Sequence, residues 1–284
     1  MNFLSAIDQD EVNNMLIVHT LIYLKKHPNY YPKVLATVHG RTPSAFKENA
    51  QFIIDKENEL GISFFGFALG GIASSKQLDE SWFNGINFKK AGGNKPFKDA
   101  VAPAIASKIV RELAGNRLIH ALGCGGYPNI LLNYFCGATS FDAASPVRRV
   151  GDGNEASTKI VFDPTPSKES FSKYFIGGIN TDNTLRQEAC SYIKLNEVPD
   201  NMALCGCKAC VAAKDVHNIK YLYSIKNFDG EANYYSRQLI GLHAVNQHKK
   251  LCEIISEYDS VDEFCDDYQN KLFNGLKYIY KCIK

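Results

Sequence analysis

Apolar and polar positions follow two different periods along the first half of the chain, and the switches between them mark out its elements. Short apolar runs of strand length occur at Phe3–Ile7, Lys33–Val38, Ile62–Leu69, Leu118–Leu122 and Thr139–Asp142. Helical spacing fills the intervals. Residues 11–26 predict a helix with Asp10 as its N-cap. Thr42-Pro43 opens the next helix, because proline in the first turn gives up only an amide that has no helical partner. Gly61 closes it after Leu60. Ile105, Ile109 and Leu113 recur on one helical face, which Gly115-Asn116 ends. Pro128 starts a short helix that runs to Cys136.

Strand, helix, strand, helix predicts an α/β fold with a parallel sheet and crossover helices. Each predicted strand ends in something chemically unusual: Asp8, His39-Gly40, Gly70-Gly71, Gly123 to Gly126, and Asp142. A (β/α)8 TIM barrel builds its active site at that end of its strands, so the pattern points to a barrel with its chemistry on one rim. The chain supplies about five βα units of the eight such a barrel needs. The signal then weakens, with strands expected at Thr158–Phe162 and Lys173–Ile176. The tail is helical, over 232–258 and again over 261–282. Ser260 with Glu263 forms a capping box for the last helix, and Phe264, Tyr268, Leu272, Leu276 and Ile279 line one of its faces. Two regions follow: 1–195, the barrel portion with the rim, and 196–284, a metal-binding region with the helical tail.

Cysteine usage sharpens the second region. Cys205, Cys207 and Cys210 form a C-x-C-x-x-C cluster within a chain of nine cysteines. Thiolates this close suit one metal ion better than disulfides. With His243 as fourth ligand, on a helix able to fold back over the cysteine loop, they would make a closed tetrahedral site for structural Zn2+. His217 and His248 are the other histidines nearby. The remaining cysteines are scattered and read as small hydrophobes. No run approaches the apolar length of a membrane span, and residues 1–11 lack the basic start and apolar stretch of a signal peptide. The chain is therefore expected to be soluble and cytoplasmic, without membrane contact. An apolar content of 45% allows a sizeable core. The net charge of +2 leaves nucleic-acid contact to local patches: the Lys89–Lys98 loop and the pair Arg148-Arg149. Such runs are most often solvated faces. Asp142 considered alone would be an aspartate capping a loop.

Four segments taken in order change that balance. They are Phe67-Ala68-Leu69-Gly70-Gly71-Ile72-Ala73, His120-Ala121-Leu122-Gly123-Cys124-Gly125-Gly126-Tyr127-Pro128, Gly137-Ala138-Thr139-Ser140-Phe141-Asp142 with Ala143 to Arg148, and the cysteine cluster with its distal histidine. Over about residues 8–251 the chain resembles the tRNA-guanine transglycosylase superfamily. Members exchange a guanine in nucleic acid for a 7-deazaguanine base on a zinc-bearing (β/α)8 barrel. The resemblance implies that Asp142 is the nucleophile and forms a covalent aspartyl-ribosyl intermediate. It places Gly71, Ile72 and Ala73 where backbone binds the base edge, and Leu122 where an apolar side chain covers the base. His39 falls where bacterial members carry a base-binding glutamine, Asp8 at the aspartate that reads the guanine edge, and Arg148 near nucleic-acid phosphate.

The family's acid/base aspartate, in a Ser-Asp-x-Gly-Gly-like motif on an earlier strand, has no counterpart in this sequence. Three accounts stand open: the chain is part of a longer protein, a homodimer partner or second subunit supplies the missing strands, or it is a shortened, divergent member. The substrate is open between tRNA and DNA, since the His-x-Leu-Gly-x-Gly run is closer to archaeal and DNA-modifying relatives. A non-catalytic nucleic-acid-binding partner subunit and an unrelated metal-stapled barrel enzyme for a small molecule are the competing functions.

Overall fold

A computed structural model describes residues 6–74, 78–91, 95–142, 159–160, 193–194, 200, 207–224, 231–267 and 271–284. The chain divides into two compact units. The first comprises residues 1–84, 99–124 and 136–142, and the second residues 85–98, 125–135 and 143–284.

The first unit is built on a four-stranded sheet. Helix α1 (Ala6–Lys26) leads through a 3-10 turn (Pro28–Lys33) into β1 (Leu35–Val38). Helix α2 (Pro43–Leu60), β2 (Gly66–Leu69), α3 (Lys95–Ala114), β3 (Leu118–Ala121) and β4 (Ser140–Phe141) follow. The strands are all parallel and lie in the order β1-β2-β3-β4. Sequential order matters. A doubly wound sheet reverses direction at a switch point and has helices on both faces, whereas consecutive same-handed crossovers put the helices on one.

Packing follows that rule. Ala36, Val38, Phe67, Leu69, Ile119 and Ala121 occupy alternate strand positions and share one core with Ile17, Leu21 and Leu24 of α1. Phe46, Ala50 and Ile53 of α2 and Ala102, Ala106, Val110 and Ala114 of α3 complete it. The other strand positions form register rows of a different character. Leu35, Gly66 and Leu118 make one row, and Thr37, Ala68, His120 and Ser140 the next. On the face opposite the helices the first row is thus flanked by leucines, and the row nearer the rim carries small and polar side chains.

At the N-terminal end of the strands, buried Glu57 accepts the Phe64 amide at 2.7 Å and pairs with Arg117 Nη1 at 2.7 and 2.8 Å. The Arg117 guanidinium lies 4.5 Å from the centre of the Phe67 ring. Arg111 donates to the carbonyls of Gly115, Arg117 and Gly137, tying the end of α3 to the entrance of β4. Helix α1 is apolar on both sides: Val12, Met15, Leu16, Ile22 and Tyr23 are exposed away from the core residues.

The described residues of the second unit are mainly helical. Helices α4 (Tyr127–Phe135), α5 (Lys208–Ala213), α6 (Val216–Ser224), α7 (Glu231–Ile255), α8 (Val261–Asp267) and α9 (Lys271–Ile283) belong to it. So does a two-residue antiparallel ladder between β5 (Lys159–Ile160) and β6 (Ile193–Lys194). Helix α7 packs along α4, α5 and α6, and the Phe264 ring of α8 lies tilted against Phe135 and edge-on to Tyr258. The His248 ring meets the Gly125 carbonyl at 3.0 Å.

Several expectations are corrected. Residues 6–7 are helical, so Asp8 lies inside α1 and not at a strand end. Acids near a helix start are favoured by its dipole, and Asp8, Asp10 and Glu11 sit there. Residues 62–65 are not strand: the Ile62 amide goes to the Glu57 carbonyl and the Phe64 amide to the Glu57 carboxylate, and pairing with the β1 segment begins only with the Phe65 amide, which donates to the Val34 carbonyl. Residues 95–98 of the lysine-rich loop are the first turn of α3. The last helix is two, α8 and α9, so its predicted apolar stripe is not one continuous face. Helices α5 and α6 were not expected. Lys173–Ile176 lies outside the described residues. Among the described residues four parallel strands are present where five were expected.

Candidate active site and cysteine cluster

Because the four strands are parallel, their C-terminal ends face one way, and the candidate residues of the first unit gather there. His39 follows β1. Its amide donates to Asn49 Oδ1 at 3.0 Å, and Asn49 Nδ2 donates to Asn14 Oδ1 at 3.2 Å, so α1 and α2 together set the backbone at this point. Burial pushes the His39 imidazole below its ordinary pKa, partly offset by the charge of Asp10. A neutral imidazole can both donate and accept, as a base edge requires.

Gly70 follows β2 and touches His39: a Cβ there would lie 2.6 Å from His39 Cε1 and 2.9 Å from Thr37 Cγ2. Gly71 has a φ of 75°, which glycine adopts without strain and which turns the chain across the sheet end. Ile72 is fully buried in the core, so its backbone alone is presented to the rim, while Ala73 is exposed. Leu122 follows β3 and is 37% exposed, an apolar side chain standing at the rim. Gly123, also left-handed at φ 70°, lies against Ala73: a Cβ on it would be 3.2 Å from the Ala73 Cβ.

Asp142 follows β4, with its side chain 54% exposed. Its Oδ1 accepts the Gly123 amide at 2.6 Å and lies 3.4 Å from His120 Nε2. His120 Nδ1 in turn meets Ser140 Oγ at 2.9 Å. Cys124 is close enough to feel the Asp142 charge, which adds to burial in pushing its thiol up to about 12. It is therefore protonated at neutral pH and is no nucleophile. The arrangement is an exposed carboxylate, held on one oxygen, beside an apolar side chain and two glycine turns that allow a flat ligand to approach backbone. His39, Gly71, Ala73, Leu122 and Asp142 are brought to one sheet end. Asp8 lies within α1, and its side chain is outside the described residues. Arg148 and Arg149 also lie outside them.

The contacts of Asp142 with Gly123 and His120 were not anticipated. The signal was present in period two: Ser140 and Asp142 share a face, and in parallel register His120 falls beside Ser140.

In the second unit, Cys207 caps α5, and its Sγ accepts the Cys210 amide at 3.4 Å. Cys210 is buried, and the two sulfurs are one helical turn apart in sequence. Helix α7, which carries His243, packs on α5. Cys205 and the His243 side chain lie outside the described residues. Among the described residues no group of three or more His, Cys, Asp or Glu side chains could hold a metal. No helix among them is long and apolar enough to cross a membrane.

The chain is an α/β protein with a four-stranded parallel sheet, and the candidate residues, an exposed carboxylate among them, lie at the C-terminal ends of its strands. No family model, curated protein or solved structure matches the chain.

Proposed function

We propose that the chain carries the nucleophile and base pocket of a base-exchanging transglycosylase that replaces guanine in tRNA with a 7-deazaguanine. The observation that supports this most is Asp142: an exposed carboxylate at the end of β4, fixed through Oδ1 by the Gly123 amide. Breaking an N-glycosidic bond builds positive charge on the sugar, and a carboxylate beside the anomeric carbon both stabilises that charge and traps it. In the proposed step Asp142 Oδ2 bonds to C1′ as the C1′–N9 bond breaks. The bonding pair leaves with the base, which takes up a proton from water. The incoming base then loses a proton to water and attacks C1′, and the C1′–Oδ2 bond breaks with its electron pair returning to the Asp142 carboxylate. Leu122 covers the base, the Gly71 to Ala73 backbone and His39 meet its edge, and both bases use the pocket in turn. The target nucleotide must leave its stack to reach this rim. Arg148 and Arg149 would meet phosphate.

The sheet is proposed to be part of a (β/α)8 barrel. Sequential strand order and helices on one face support this. The β1 edge and the outer apolar stripe of α1 are where a further βα unit, from a second subunit or another part of the protein, would pack. Cys205, Cys207, Cys210 and His243 are proposed to hold structural Zn2+. The hydrogen bond that the Cys210 amide donates to Cys207 Sγ is the kind that steadies a thiolate ligand, and α5, which carries Cys210, packs on α7, which carries His243. Bound there, zinc would supply folding energy and no step of the reaction.

The test is release of labelled guanine from tRNA, and from duplex DNA in parallel, with trapping of the protein–nucleic acid adduct. Asp142→Asn should abolish both release and adduct. Full exchange by that variant refutes the mechanism. Exchange on DNA alone reassigns the substrate, and salt-dependent binding with no exchange by the wild type leaves a non-catalytic binding subunit. Elemental analysis should find about one zinc per chain, lost in a Cys207→Ser, Cys210→Ser double variant.

A further inference from the structure

An exposed aspartate on a strand end rotates about two side-chain bonds, and an attacking oxygen that wanders loses most of the advantage of being held near the sugar. Asp142 is 54% exposed, yet one of its oxygens is engaged from two sides. The shorter contact is the Gly123 amide at 2.6 Å, a charge-assisted bond to Oδ1. The second is His120 Nε2, at 3.4 Å from the same oxygen. That distance is longer than a good N–H···O bond, so Gly123 is the main tether and His120 the lateral stop. Among the described residues no hydrogen bond to Oδ2 occurs.

His120 is itself oriented. It stands on β3 directly beside Ser140 of β4, and its Nδ1 is 2.9 Å from Ser140 Oγ. If the Ser140 hydroxyl donates to Nδ1, the neutral ring carries its proton on Nε2, the nitrogen that faces Asp142. The order serine, histidine, carboxylate therefore runs in space with the carboxylate at the exposed end and the hydroxyl at the inner one. In such an order the hydroxyl selects the tautomer and the carboxylate does the chemistry.

We infer that His120, braced by Ser140, is a positioning residue that together with the Gly123 amide holds Asp142 Oδ1, leaving Oδ2 as the oxygen presented to the substrate. The inference rests on the transglycosylase function proposed above for its kinetic consequences, and on geometry alone for its structural ones.

Two measurements test it on the full chain. The first is exchange kinetics with tRNA. His120→Ala should lower kcat by about tenfold to a hundredfold with KM within about twofold, because orientation is lost and base binding is not. His120→Gln, whose amide N–H can replace Nε2–H, should recover most of that loss, and Ser140→Ala should fall between wild type and His120→Ala. The second needs no activity: the carbon-13 resonance of the Asp142 carboxylate, assigned by its absence in Asp142→Asn. It should move in His120→Ala and return toward the wild-type position in His120→Gln. A raised KM at unchanged kcat, or a Gln variant no better than Ala, overturns the positioning role. A resonance that does not move in His120→Ala overturns it whether or not the protein is active. A resonance that moves in a protein that exchanges no base supports the tether and refutes the transglycosylase function instead.

Discussion

Removing the Glu57 carboxylate should unfold the sheet unit far more readily than its distance from the rim suggests. Glu57 is 4% exposed and serves two groups at once: it accepts the Phe64 amide at 2.7 Å and pairs with Arg117 at 2.7 and 2.8 Å. In Glu57→Ala the guanidinium keeps its charge and loses its partner, a change that costs about 3–5 kcal/mol when a buried pair is broken. Arg117 is 24% exposed and can turn partly to water, so the low end applies, about 3 kcal/mol. The Phe64 amide loses its acceptor as well, adding about 1 kcal/mol. A total near 4 kcal/mol is a large part of the roughly 5–15 kcal/mol that holds a typical domain folded. Glu57→Gln keeps an oxygen for the Phe64 amide and should cost only about 1–2 kcal/mol.

The chain's single tryptophan makes the assay specific. Trp82 is fully buried in the core of this unit, edge-on to Phe46, so its fluorescence during urea unfolding reports on the sheet unit itself. A double-mutant cycle with Arg117→Ala should give a coupling of at least about 1.5 kcal/mol. A Glu57→Ala transition within about 1 kcal/mol of wild type, or additive single variants, would refute the account.

Gly70→Ala should raise KM for exchange by about tenfold with little change in kcat, because the new methyl meets the His39 ring at 2.6 Å and drives it from the rim. Unchanged KM would show that His39 takes no part in base binding. His39 also carries a pH signature. Its folded pKa is lowered by burial, so the unfolded chain binds the proton more tightly, and stability is full above the ordinary value of about 6.5 and falls as pH drops from there toward the folded value. His39→Gln should flatten that part of the stability profile measured by urea midpoint, and an unaltered profile would contradict the assignment. Cys124 and Cys136 are buried, with thiols pushed up to about 12. Iodoacetamide at pH 8 should leave both unmodified in the folded protein and alkylate both in urea, as read by peptide mass spectrometry; labelling before unfolding would contradict their burial.

What the sequence determined by itself is local. Thr42 caps α2 by accepting the Ala45 amide, Pro43 fills the first turn, and Gly61 ends the helix in the left-handed region at φ 65°. Each of those events needs only neighbours in the chain, and all were predicted. The glycines after β2 and β3 and the aspartate after β4 were legible for the same reason, whereas Asp8 lies inside α1. The tertiary structure decided whatever depends on distant partners. Residues 62–65 have strand composition, but the Ile62 and Phe64 amides are claimed by Glu57 and so stay out of the ladder. Pro103 sits inside α3, where the hydroxyl of Ser107 donates to its carbonyl. Period two already placed Ser140 and Asp142 on one face, but only the parallel register sets His120 beside Ser140 and Gly123 against Asp142. Register is set by pairing across some twenty residues of chain, through hydrogen bonds that no local preference specifies. Side-chain period chooses a face, and strand pairing chooses which side chains meet on it.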